Sequence, residues 1–398
     1  MSHFQGIRRR TWAEIDLDRA ERNFLEIRGA VGDRVKICCV IKANAYGHGA
    51  VRMARFYQQM KADYLAVSNI EEALQLRENH ITVPILVLGY TPEECAGLLA
   101  LHSITQTVYS YEYGKKLAKC AMQLGVRVKI HVKLDTGMGR IGFLCRQDGN
   151  NELTKAAEIC QDPAFIPEGI FTHLAVADEN VDGDAFTAEQ LSLFLYGIQY
   201  LGALGIRFSI RHCSNSAAIF DHPECHLDMV RAGIVLYGLK PSEKIRRAPA
   251  IEPVMTLKSV ISHVKEVYPG ESVSYGRSFL ANRMTTVATI PIGYADGLWR
   301  GNGMSECYML IKGRYAPIIG RICMDQLLLD VSEIDCRVGD VVTVFGSDRI
   351  CSADSIARRN GTINYEIICA VGERVPRAYI KGGKIYDWQD SIYREDLI

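Results

Sequence analysis

The segment VIKANAYGHG, residues 40–49, gathers groups from which chemistry could be built. An apolar run leads into Lys42, and Tyr46, Gly47, His48 and Gly49 follow where the chain turns towards a helix. An amine with an apolar strand behind it has its ammonium form destabilised, which frees it for a Schiff base. A strand-end lysine can equally extend its charge to water. Two neighbours favour the reactive reading: the Tyr46 hydroxyl is a donor one turn away, and the glycines let backbone approach a ligand closely. Asn215-Ser216 lies where a strand-like run gives way to a helical one, a place that favours anions, although Asn-Ser is also a common helix cap. Tyr275, within Ser-Tyr-Gly, sits in a context suited to an exposed turn.

Such groups need a scaffold. From about residue 36 to 240, short β-branched runs alternate with longer helical stretches: KICCVI, YLAV, PILVLG, SITQTV, RVKIHVKLD, PEGIFTHLA, RFSIRHC and DMVRAGI. Alternation of this kind implies parallel strands joined by crossover helices. About eight units in about 200 residues favours a (β/α)8 TIM barrel over its rival, an open doubly wound sheet. The stretch from Ala185 to Leu204 predicts a helix with Phe186, Leu191, Leu193, Phe194, Ile198 and Leu201 near the packed face. Beyond Pro253 the runs become short and strand-rich, with Lys-Gly-Arg (312–314) and Val-Gly-Asp (338–340) as turns. The expected division is a barrel over 1–248, whose first residues can pair with the second domain, and a mainly β domain over 249–398.

VIKANAYGHG resembles the pyridoxal-phosphate signature of the alanine racemase family. The resemblance continues through THLAVAD (172–178), SNSAA (214–218), VRAGIVLYG (230–238), VSYGRSF (273–279), IPIGYADG (290–297), GRICMDQ (320–326) and INYEI…RVPR (363–377). It implies an N-terminal (β/α)8 barrel, a mainly β C-terminal domain, and a head-to-tail homodimer whose active sites combine one protomer's barrel with its partner's second domain. The implied cofactor is pyridoxal 5'-phosphate, an electron sink for the charge left when an amino acid loses its α-proton. The implied substrates are L-alanine and D-alanine, the latter serving peptidoglycan.

By the same resemblance, Lys42 holds the cofactor and is the base on one face, and Tyr275 is the base on the other. A free tyrosine, with a pKa near ~10, is a feeble base at pH 7, so roughly 4 kcal/mol must come from its surroundings. His173 matches the histidine coupled to this tyrosine through Arg231, and Arg231 matches the group facing the cofactor's pyridine nitrogen. A guanidinium is a permanent donor, so that nitrogen should stay unprotonated. Arg140 matches the arginine near the cofactor's phenolic oxygen and the substrate carboxylate. Lys133 matches a position that many members carry as N-carboxylysine. Tyr46, Asn215, Ser216, Gly233, Ile234 and Tyr365 correspond to the phosphate pocket. Met324 matches the residue whose amide meets the substrate carboxylate, and Tyr294 and Tyr365 match the pair that narrows the entrance.

The chain has 46 basic and 46 acidic residues and is 48% hydrophobic. A neutral, half-apolar chain argues against disorder and against nucleic-acid binding. No apolar run reaches the ~20 residues of a membrane helix. The start, MSHFQGIRRR, is read as lacking a secretory signal, and the 13 scattered cysteines, without a CxxC pair, fit a reducing cytoplasm and no metal site. The alternatives are a racemase for serine or a broader range of amino acids, a basic amino-acid decarboxylase, and a non-catalytic pyridoxal-phosphate carrier. Tyr365 favours alanine over serine, and the length of the second half argues against the carrier.

Overall fold

The computed structural model describes residues 10–147, 151–247, 249–301 and 307–392. Residues 1–9, on which the reading of the N-terminus rests, and Ala248, at the expected boundary, lie outside the described residues. The chain forms two compact units, one of Glu21–Ala45 and Gly49–Ile251, the other of Met1–Ala20, Tyr46–His48 and Glu252–Ile398.

The first unit is a barrel. Its strands are short apolar runs buried on both faces, such as Tyr64–Val67 and Ile85–Val87, which is what parallel pairing under a layer of helices demands. Lys36–Val40, Tyr64–Val67, Ile85–Val87, Ile104–Val108, Val128–Asp135, Phe165–Phe171, Ile210–His212 and Met229–Ala232 follow one another in parallel, and the last returns to the first with Val230 opposite Ile37. Two backbone hydrogen bonds close the ring between the seventh and eighth strands. Asp228 N–H donates to the Arg211 carbonyl and Arg231 N–H to the Ser214 carbonyl, each at 3.1 Å. An open sheet would leave these two edges apart, so the barrel reading holds.

The helix predicted from Ala185 to Leu204 spans Val181–Ala203, and its packed face agrees with the expected one at Phe194 and Leu201 but not at Phe186. Gly183, Thr187, Gln190, Phe194, Gly197 and Leu201 are buried, whereas Phe186 is exposed. The reason is close approach. A Cβ on Gly183 would stand 2.1 Å from the Val176 carbonyl, and one on Gly197 would stand 2.5 Å from Leu134 Cδ1. Gly183 and Gly197 let this face approach its neighbours closely, and Phe194 and Leu201 of the expected face are buried beside them. Of the cysteines, Cys38 and Cys39 are buried in the first barrel strand, whereas Cys369 is exposed and Cys323 half-buried.

The second unit is built on a ten-stranded sheet. Thr11–Asp16 lies within it, antiparallel to Met255–Val260 and parallel to Arg377–Lys381. Lys312 and Gly313, with φ of 48° and 79°, make the two-residue turn of the hairpin Tyr308–Ile311/Arg314–Ile319, matching the twist of its strands. The apolar run TLKSVISHVKEV is two strands with separate partners, Met255–Val260 on Val341–Phe345 and His263–Val267 on Thr285–Ile290. Ser352 caps the helix Ala353–Arg359 by accepting from Ser355 N–H. A second short helix, Asn364–Cys369, carries Tyr365 and was not expected from the sequence. Among the described residues no helix is long and apolar enough to cross a membrane.

Candidate active site

Lys42 begins one left-handed turn just beyond the first barrel strand. Ala43, Asn44, Ala45 and Tyr46 all have φ between 52° and 54°. Left-handed backbone costs a non-glycine residue about 1–2 kcal/mol, so the surroundings must impose it. Ala43 N–H donates to Glu72 Oε1 at 2.6 Å and Ala50 N–H to Asn44 Oδ1 at 2.8 Å. Tyr46, Gly47 and His48 belong to the second unit. There the Arg377 guanidinium donates to the Gly47 carbonyl and the Tyr379 hydroxyl to that of His48, both at 3.0 Å. Buried Tyr46, its hydroxyl kept protonated by burial, has its ring 6.0 Å from that of Tyr365. Gly47 has φ 83°, and a Cβ there would stand 2.3 Å from the Ile368 carbonyl. Gly47→Ala is therefore expected to cost at least ~2 kcal/mol, read as a fall in the urea midpoint.

The fifth strand, Val128–Asp135, delivers Lys133 to the same end of the barrel and leads into the loop bearing exposed Arg140. Asp135 shapes that loop by accepting from the N–H groups of Gly137 and Gly139, both at 3.0 Å. Burial pushes the Lys133 amine down to about 7, helped by the charges of Arg140, Arg231 and Lys42. Burial and the same cations, with Lys133 itself, hold His173 well below its ordinary pKa. That mutual influence puts Lys42, Lys133, Arg140, His173 and Arg231 in one electrostatic cluster.

Arg231 is buried at its centre. Its Nη2 donates to the Thr172 and Cys213 carbonyls and, at 3.1 Å, to His173 Nδ1. Its Nη1 donates to His212 Nδ1 and to the His212 carbonyl. Burial lowers its pKa to about 10, so it stays a cation at neutral pH. Since a guanidinium has no acceptor, His173 must accept on Nδ1 and carry its proton on Nε2. Among the described residues the Arg231 Nε–H makes no hydrogen bond, which leaves one fixed donor for a ligand. Nearby, Gly233 N–H donates to Ser216 Oγ at 2.9 Å, and Asn215 accepts from Ala218 N–H at 3.1 Å. Ser216, Gly233 and buried Ile234 thus form one small cradle of a hydroxyl and backbone amides.

The remaining expected residues lie on the second unit. Tyr275 opens a tight turn, Tyr275–Arg277, and is 65% exposed. The Ser274 hydroxyl ties this turn to the Arg321 carbonyl at 2.6 Å. Tyr294 N–H donates to the Cys323 carbonyl and Ala295 N–H to that of Met324. Tyr275, Tyr294 and Met324 therefore share one region, each with much of its side chain uncovered. Buried Asp296 anchors the Tyr294 turn, accepting from Gly293 N–H and from Arg10 and Arg374. Sequence reasoning missed that anchor, and it also missed His131, Glu168 and His212 inside the barrel. Histidines within strand-like runs, in IHVK and IRHC, were the signal available.

A closed eight-stranded α/β barrel with a lysine and an arginine cluster at one end, joined to a mainly β unit, defines the class. Residues 15–241 match the model of the alanine racemase N-terminal domain, and residues 254–379 match that of the C-terminal domain. An alanine racemase of Desulfovibrio desulfuricans is 46% identical, covering 94% of this chain and 99% of its own. Alanine racemase 1 of Clostridium acetobutylicum is 43% identical over 95% and 97%. A solved alanine racemase of Clostridium difficile superposes with a TM-score of 0.92 at 41% identity, covering 97% of this chain and 100% of its own. The chain belongs to the alanine racemase family.

Proposed function

We propose that this protein interconverts L-alanine and D-alanine with pyridoxal 5'-phosphate, using Lys42 and Tyr275 as bases on opposite faces of the substrate. The observation that carries the reading is the buried Arg231, held by two imidazoles and three carbonyls with its Nε–H uncommitted. A fixed cationic donor there suits the unprotonated ring nitrogen of the cofactor. The Ser216–Gly233–Ile234 cradle suits its phosphate, and Asn215 sets the turn that presents Ser216. When bound, the cofactor supplies an electron sink for the α-carbon.

The chain's own groups supply the rest. Lys42 accepts or returns a proton at Nζ. His173, protonated on Nε2, can donate towards a phenolate at Tyr275, which makes that oxygen a competent base. Arg140 is a planar donor suited to the substrate carboxylate, with the Met324 amide as a second donor and Tyr294 and Tyr365 narrowing the entrance. The exposure of Tyr275, Tyr294 and Met324 supports a site completed by a second copy of the chain, arranged head to tail. The test is chiral chromatography of L-alanine, L-serine and L-lysine incubated with protein and pyridoxal 5'-phosphate. D-alanine as the main product supports the reading, and its absence overturns it.

Lys133 is proposed as an N-carboxylysine paired with Arg140. An amine with pKa about 7 is substantially neutral at physiological pH and so can add CO2. The amine nitrogen bonds to the CO2 carbon and releases one proton to solvent, which leaves a carboxylate anion beside two arginines. Native mass spectrometry in bicarbonate should find the added mass of CO2 on the intact chain, absent from Lys133→Ala. Equal masses for the two, after allowing for the substitution, would remove the assignment.

A further inference from the structure

The barrel interior carries a polar chain on the side of Arg231 away from His173. His212 Nδ1 accepts from Arg231 at 3.0 Å, and His212 Nε2 lies 2.9 Å from His131 Nδ1. His131 Nε2 makes no direct hydrogen bond and faces Glu168 Oε2 at 3.5 Å. The Glu168 carboxylate also accepts from the hydroxyls of Tyr64 at 2.5 Å and Thr105 at 3.4 Å. Tyr64 opens its strand and Thr105 stands second in its own. The carboxylate therefore sits towards the N-terminal end of the barrel, opposite the end where Lys42 emerges. Both imidazoles are fully buried, while Glu168 is partly exposed.

The two ends of this chain dictate where its protons lie. Arg231 can only donate, so His212 Nδ1 must be bare and its proton must be on Nε2. That N–H donates to His131 Nδ1, which places the second proton on His131 Nε2, facing the carboxylate. The reverse assignment would set a nitrogen lone pair against an anion and an N–H against the arginine's own N–H groups. Burial keeps both rings neutral, with Arg231 opposing a charge on His212. The interaction with His131, with the Tyr64 hydroxyl adding to it, holds the Glu168 carboxyl at about 2, so it is an anion at working pH. The fold makes room for this arrangement. A Cβ at Gly169 would stand 2.6 Å from the His131 ring, and Phe171 stacks on His212 at 4.8 Å. Buried polar groups in such numbers are costly unless they are satisfied, and here the guanidinium at one end and the carboxylate at the other require the same direction for every link.

We propose that Glu168 is a positioning residue for Arg231: acting through His131 and His212, it fixes the tautomers that let His212 accept from the guanidinium, and so holds Arg231 in place. The proton placement stands by itself, while its kinetic consequence rests on the racemase reading above.

The experiment combines long-range proton–nitrogen NMR of histidine-labelled protein with steady-state kinetics on alanine. His131→Gln and His212→Gln assign the two rings. In the parent protein both should be Nε2–H tautomers. In Glu168→Leu, which lacks the acceptor, Nδ1–H forms should appear and kcat should fall about tenfold with KM changed less than about twofold. Glu168→Gln keeps a carbonyl acceptor and should restore both readouts, which a packing role alone would not require. Nδ1–H tautomers in the parent protein overturn the proposal, as does a folded Glu168→Leu with unaltered tautomers and kcat. If Glu168→Leu does not fold, the parent tautomers alone decide. Should the parent show the expected tautomers without racemising alanine, the functional reading fails and the proton placement survives.

Discussion

Lys42→Ala is expected to lose racemisation in both directions by at least ~1000-fold, because one amine is both the cofactor's anchor and a base. The barrel contains a second amine that could compete for this role. Lys133, buried and with its pKa pushed down to about 7, has a larger neutral fraction at pH 7 than an ordinary lysine. Nucleophilicity alone would therefore make Lys133 a candidate anchor. Placement separates them. Lys42 is half-buried at the start of a strained turn, whereas Lys133 is buried with its ammonium 5.6 Å from the centre of the Phe171 ring. Borohydride treatment of the loaded protein, followed by peptide mapping, should find the label on the peptide containing Lys42. A label on Lys133 would reverse the two assignments, and carboxylation of Lys133 would suppress that side reaction.

The barrel was legible because its strands are apolar on both faces and separated by clear breaks. The chemistry at the strand ends was legible because motif residues cluster there: Lys42, His173, Ser216 and Arg231 all lie at or just beyond the C-terminal ends of their strands. What escaped depends on contacts distant in sequence. No local pattern in KANAY announces four left-handed residues, since the conformation is held by Glu72, among others. The helix Val181–Ala203 misled for a related reason. Hydrophobic periodicity weighs large side chains, but its packed face is set by how closely Gly183 and Gly197 let backbone and Leu134 approach. His131 and Glu168 stand on neighbouring strands, and their pairing follows from barrel register, with a shift between Ile130 and His131 that no single run displays.

Tyr275→Phe should reduce racemisation by at least ~100-fold, the usual scale for a lost general base, while leaving cofactor binding intact. The ring stays and only the ionisable oxygen goes, so folding of an exposed turn should be unaffected. The same substitution tests the assembly. If Tyr275 completes the partner's site, a dimer of one Lys42→Ala chain and one Tyr275→Phe chain has one site with both defects and one with neither. Mixing the two inactive variants under conditions that exchange subunits should then recover activity, approaching half of the mixed dimers' sites. Were Lys42 and Tyr275 to serve the same chain's site, every site in the mixed dimer would carry one defect and no recovery could occur. The control is a mixture of Lys42→Ala with Lys133→Ala, two changes on the same unit. In a shared-site dimer these two barrel defects fall in different sites, one in each, so no intact site forms and no activity appears beyond what the Lys133→Ala barrel retains. Persistent inactivity of the Lys42→Ala/Tyr275→Phe mixture, with heterodimers shown by native mass spectrometry, would overturn the head-to-tail arrangement.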